Sequence, residues 1–285
     1  MVTPHGEMIP LLSSIGNHDA GTNHNAGTTN VWNGGDEDPA LPPILRYFPH
    51  EVSKTFPHEV PPHRRRTYHR HTAAGGAITI VALDSGYVAA VDGAQKMWLA
   101  EALNSSEHDQ MGRAGVRGNT LQKSRWQFAV YHVPLYASTG HWEDDDKQAE
   151  NVRARLAWVP EFDAAALDAA FEHHVHTMKR TRPMRSSEYD PSGVTYLGDG
   201  NWGVDKLGGP SASDLNATHV DFNTGAMPEE EKAQANLASI RIVTHVWECE
   251  VGTAEGGHSI VRAIGFDPDD DEANVRATVL EEALV

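Results

Sequence analysis

Gln127-Phe128-Ala129-Val130-Tyr131-His132-Val133-Pro134-Leu135-Tyr136 is the stretch whose reading decides the fold. Residues 127–131 have the apolar, aromatic and β-branched content of a strand buried in a sheet. The strand ends at a histidine followed by a Val-Pro step. In α/β sheets the carboxyl ends of strands are where chemistry is placed, so His132 becomes the first candidate site residue.

Working outward, the same pattern recurs. Upstream, residues 77–83 are β-branched and apolar between Gly75-Gly76 and Asp84-Ser85-Gly86, which predicts a second buried strand. Between the two strands, Met97, Leu99, Ala100 and Leu103 fall at roughly helical spacing, which predicts an amphipathic helix over 93–103 packed on the sheet. Downstream, a helix is expected over 146–158. A helix-to-strand passage over 162–171 comes next and ends at His173-His174-Val175-His176. Near the start, the apolar run 9–15 ends in Gly16-Asn17, as a strand would that delivers Asn17 and His18 at its tip. Strand, helix and strand, with candidate ligands at the strand tips, is the α/β pattern.

The rest is less regular. Residues 20–66 are rich in Gly, Asn, Pro and His with no sustained period, so a long irregular excursion is expected. Inside it Phe48-Pro49-His50-Glu51-Val52 recurs as Phe56-Pro57-His58-Glu59-Val60. Two copies are too few for a solenoid. The repeat is either a duplicated surface loop or a histidine-bearing cover, and His63 with Arg64-Arg65-Arg66 reads as solvated. A strand is expected over 193–197, a glycine-rich loop over 198–232, and two strands over 240–251 and 259–266 joined through 252–257. Residues 272–285 read as a terminal helix or a fraying end.

Composition narrows the partners. The 40 acidic residues outweigh 23 basic ones, for a formal charge of −17, with acid gathered in Glu143-Asp144-Asp145-Asp146 and over 267–272. Such a surface repels polyanions and argues against nucleic acid. Cys249 is the only cysteine, so no internal disulfide can form. Nothing approaches the roughly 20 consecutive apolar residues that span a bilayer, so no membrane partner is expected. Residues 1–15 lack the basic start and long apolar run of a secretory signal, and the compartment is unknown from the sequence.

Taken one at a time, the polar motifs are ambiguous. Gly16-Asn17-His18-Asp19 is also an ordinary turn, because Asn tolerates left-handed backbone and Asp caps the next element. His132 alone could be a hydrogen-bonded core residue. His174 and His176, two apart, can aim two imidazoles at neighbouring points, yet His173 makes three histidines in four residues, as in a surface patch.

Their order is more specific. Gly-Asn-His-Asp, then a strand ending in His-x-Pro-x-Tyr, then His-x-His followed by Arg180-Thr181-x-Pro183 resembles the calcineurin-like metallophosphoesterases, and among them the purple acid phosphatases. Ile80-Val81-Ala82-Leu83-Asp84-Ser85, the helix after it, and Gly193-Val194-Thr195-Tyr196-Leu197 before Gly198-Asp199-Gly200 are similar to further stretches of that family. The likeness runs over most of residues 10–205.

The resemblance implies an α/β/β/α sandwich of two mixed sheets and hydrolysis of phosphate monoesters at a dinuclear metal centre, with a small phosphorylated substrate. It implies that Asn17, His132 and His174 bind the more exchangeable divalent ion, zinc, manganese or iron, and that His176 belongs to the other, usually ferric, position. It also implies that His18 touches the phosphate and helps protonate the leaving alcohol, oriented by Asp19, and that His141 is a further phosphate contact. The family's earlier blocks, an Asp and a Gly-Asp-x-x-Tyr, have no counterpart in residues 1–15. The expectation is therefore a fold lacking its first strands, holding one metal rather than two, whose activity is in question. Two other readings stand beside it: a non-catalytic metal-binding or interaction protein, and a phosphodiesterase of the same superfamily. The expected organisation is a catalytic part over 1–185, a β-rich part of the same unit over 186–267, and an acidic tail or helix over 268–285. The oligomeric state is open.

Overall fold

The computed structural model describes residues 6, 12–20, 45, 47, 65–104, 125–136, 145–174, 179–198, 220–223, 245–250, 260–266 and 277–284. Four strands run parallel at its centre: β2 (Ile78–Ala82), β3 (Trp126–Tyr131), β4 (Ala169–Glu172) and β8 (Thr195–Gly198). β1 (His69–Ala73) pairs antiparallel with β2. On the other side β5 (Lys179–Thr181) and β9 (Val220–Asn223) extend the sheet antiparallel, giving the order β1-β2-β3-β4-β8-β5-β9. β6 (Met184–Arg185) and β7 (Glu188–Tyr189) form a small hairpin.

The connections follow from the sequence. α1 (Ala94–Asn104) links β2 to β3, and α2 (Asp145–Ala165) links β3 to β4. Parallel neighbours need crossovers of this kind. Alternation along the strands then divides the sheet into two apolar faces. Val81, Ala129, Tyr131, Ala170 and Tyr196 point to the helices and meet Leu99 and Leu103 of α1 and Trp158, Phe162 and Ala165 of α2. Ile78, Ile80, Trp126, Phe128, Phe171 and Leu197 point the other way, where Cys249 packs against them.

Cys249 belongs to β10 (His245–Glu250), which with β11 (Ile260–Phe266) and β12 (Ala277–Leu284) makes a separate antiparallel sheet. Helices on one face and a second sheet on the other is the layering of an α/β sandwich. The α/β class read from the sequence is the class observed.

Several details differ from the expectations. Residues 12–15, the described part of the run 9–15, form no strand and lead through Gly16 into a turn over 17–20. Burial of Ile15 against Leu45, Tyr87 and Val133 explains its apolar character without strand pairing. β1 is a strand that sequence analysis did not identify. In α1, Met97 is 66% exposed and the buried face is Gln95, Leu99, Ala102 and Leu103. α2 runs seven residues past the expected end, through Pro160, because Phe162 and Ala165 are fully buried against the sheet. That burial outweighs the roughly 3 kcal/mol that an interior proline costs a helix.

Residues 220–223, inside the expected glycine-rich loop, form β9. Of residues 272–285, read as a terminal helix or a fraying end, 277–284 form a strand paired with β11. β8 and β9, beyond residue 185, belong to the same sheet as β2 to β4. The tandem repeat, His63, Arg64, and nearly all of the 20–66 excursion lie outside the described residues. Among the described residues, no helix is long and apolar enough to cross a membrane.

Candidate metal centre

Because β2, β3, β4 and β8 are parallel, their carboxyl ends share one edge of the sheet. Asp84, His132, His174 and Gly198 therefore gather there. The loop after β2 is organised by Asp84, which is fully buried. Its Oδ1 accepts from the N–H groups of Gly86 (3.0 Å) and Tyr87 (2.7 Å), and its Oδ2 from those of Val88 (3.0 Å) and Ala89 (2.8 Å) and from the Thr67 hydroxyl. Burial raises its pKa above the usual carboxylate value, against the pull of those donors. Gln95 of α1 staples the loop, accepting from Asp84 N–H and donating to the carbonyls of Asp84 and Ala90.

This loop is a wall for His132. Ser85 Oγ accepts from Val133 N–H at 3.0 Å, and the Tyr87 ring stands edge-on to the His132 imidazole with centroids 5.8 Å apart. From the other side Asn151 of α2 donates to the Pro134 carbonyl.

The turn over 17–20 supplies the next residue. Asp19 and Ala20 donate backbone N–H to Gly16 C=O at 3.1 and 3.2 Å, and Asp19 Oδ2 accepts from Gly16 N–H at 2.9 Å. Asp19 thus closes the turn on Gly16. His18 and Asp19 are exposed and Asn17 is half-buried.

Three of the expected ligands meet. His132 Nε2 lies 2.8 Å from Asn17 Oδ1 and 2.8 Å from His174 Nδ1. The two imidazoles pack edge to face at 4.7 Å. A neutral His132 with its proton on Nε2 has one donor to offer two acceptors. Two imidazole nitrogens and an amide oxygen converging on one point fit a borderline divalent cation. Among the described residues no cluster of three or more His, Cys, Asp or Glu is placed to hold a metal, since the third donor here is an amide.

His174 reaches this point from left-handed backbone, with φ 67°. For a residue with a Cβ that conformation costs about 1–3 kcal/mol and persists only where the surroundings hold it. Just before it, His173 N–H donates to His132 C=O at 3.0 Å, extending the β3–β4 ladder to the site. His141 and His176 lie outside the described residues.

Behind the candidate ligands stand two residues that no sequence motif singles out. Glu172 and Lys179 are fully buried and form an ion pair of 2.5 Å beneath His132 and His174. Burial pulls the Lys179 pKa below its ordinary value. Burial raises that of Tyr131 well above its own, helped by the neighbouring Glu172 charge. The signal that could have found the pair is a glutamate ending an otherwise apolar strand, Ala169-Ala170-Phe171-Glu172, because a charge in such a place needs a partner.

No family model matches the chain. Purple acid phosphatase 21 of Arabidopsis thaliana is 30% identical over 91 residues, which are 31% of this chain and 20% of that protein. The structure of purple acid phosphatase PPD1 from yellow lupin seeds superposes with a TM-score of 0.60 at 14% identity, covering 96% of this chain and 41% of the lupin chain. The structure of PhoD, at a TM-score of 0.44, 12% identity, and coverage of 85% of this chain and 45% of its own, is too distant to identify a shared fold. The chain thus spans about two fifths of the length of the lupin protein. The chain is thus similar to purple acid phosphatases in sequence over 91 residues and similar to the lupin purple acid phosphatase in fold over nearly all of its own length.

Proposed function

We propose that the chain is a phosphoesterase that hydrolyses phosphate monoesters with a metal centre in which Asn17, His132 and His174 hold a divalent ion. The observation that carries this reading is the convergence of Asn17 Oδ1 and His174 Nδ1 on His132 Nε2. When bound, metal in such a centre polarises the ester and supplies hydroxide. The roles of the protein's own groups follow from their places.

Asn17 and the two imidazoles contribute no charge of their own, so the site suits a dianionic substrate. His18 stands exposed one residue beyond Asn17, where an imidazole can touch the phosphate and give a proton to the leaving alcohol. Asp19 acts by closing the turn that presents His18. By the family resemblance, His141 adds a phosphate contact and His176 serves the second metal position of a dinuclear iron–zinc, iron–manganese or iron–iron centre. The two walls, the 84–89 loop and α2, keep the ligand segments in place.

The test is hydrolysis of 4-nitrophenyl phosphate by purified protein with added zinc, manganese or ferrous iron. His132→Ala and His174→Ala are each expected to lower turnover by at least about a hundredfold, with loss of bound metal by elemental analysis. Full turnover in both variants would falsify the assignment. Bound metal without turnover in the parent protein favours a metal-binding protein that is not an enzyme, and faster cleavage of bis(4-nitrophenyl) phosphate favours a phosphodiesterase.

A further inference from the structure

Glu172 and Lys179 have no exposed surface, yet both carry charges and neither belongs to the ligand set. They sit on different strands with one between them. Glu172 of β4 is in register with Gly198 of β8, and Gly198 is in register with Lys179 of β5. Two strand spacings amount to about 9–10 Å, which only a long side chain lying across the middle strand can bridge. Gly198 makes that crossing possible: a Cβ there would meet Lys179 Cγ at 2.5 Å and Cε at 2.8 Å.

The remaining bonds of the pair all go to one segment. Glu172 Oε1 accepts from Leu135 N–H at 2.7 Å and from the Tyr131 hydroxyl at 2.8 Å. Lys179 Nζ donates to the Tyr136 carbonyl. His132 lies inside the segment so held. Glu172 itself is two residues before His174, whose left-handed backbone requires support from its neighbours.

A buried ion pair is weak evidence for stability, because desolvating two charges offsets their attraction. What this pair supplies is a fixed arrangement. From these contacts we infer that Glu172 and Lys179, crossing at Gly198, are positioning residues that lock the His132 segment and the His174 turn at ligand spacing before any metal arrives. This rests on the reading of Asn17, His132 and His174 as a metal centre.

The experiment separates position from stability and uses Co²⁺ as the probe. Parent protein, Lys179→Met, Gly198→Ala and the double variant Glu172→Leu/Lys179→Met are compared by thermal unfolding, by Co²⁺ absorbance titration and by long-range ¹H–¹⁵N spectra of the metal-free histidines. The double variant, with no lone buried charge, is expected to unfold at or above the temperature of Lys179→Met. It is expected to bind Co²⁺ at least about tenfold more weakly than the parent, with shifted His132 and His174 ring signals.

A folded double variant with parent-like Co²⁺ affinity and unchanged ring signals would overturn the inference. Should the parent bind no Co²⁺, the metal reading fails. The ring signals of the metal-free double variant then still decide the positioning role, changed signals supporting it and unchanged signals refuting it.

Discussion

At Gly16 the lack of a side chain is what lets the candidate ligands close up. A Cβ there would stand 2.9 Å from His132 Nδ1 and 3.0 Å from Cε1, so Gly16→Ala must push the imidazole aside. Its expected effect is a Co²⁺ affinity lower by about tenfold with little change in unfolding temperature. Parent-like affinity would show that the ring has room to move. The sequence shows Gly16 as part of a turn. That the glycine clears space for a ring far along the chain appears only when β3 and the turn are brought together. Asn17, His132 and His174 are legible in the sequence as candidate donors, whereas Glu172 and Lys179 are not, because a charge in a strand declares its partner only after folding.

Among the elements, the 84–89 loop is the one most dependent on a single group. Asp84→Ala would leave four backbone N–H groups without their acceptor, and the expected loss of stability is about 2–4 kcal/mol by urea unfolding. A loss below the scatter of such measurements would mean that water replaces the carboxylate. β2, β3 and the core of α1 were readable because their apolar residues recur at the strand or helix period. The ends were less so. α2 passes Pro160 because its last turn is buried under the sheet. Residues 277–284 are a strand because β11 offers them a partner edge, which no local propensity reports.

Across the whole molecule, Cys249 probes the packing of the two sheets. Burial, followed by the nearby Asp168 charge, pushes its thiol from 9.0 up to about 11. The thiolate is thus disfavoured in the fold, so its titration leaves stability unchanged below pH 9 and lowers it as pH rises through about 11. At pH 8 the native protein should react with iodoacetamide about a hundredfold more slowly than the urea-unfolded chain. Equal rates would show the second sheet detached from the first. By itself the sequence determined the α/β class, the order of the central elements and the types of donor atom, because periodicity and side-chain chemistry are local properties. Only the tertiary structure decided that Asn17, His132 and His174 come together, that Gly16 and Gly198 clear the way, and that a buried pair stands behind these candidate ligands. Those are distances between segments remote along the chain, set by strand register and by the packing of the two faces of the sheet.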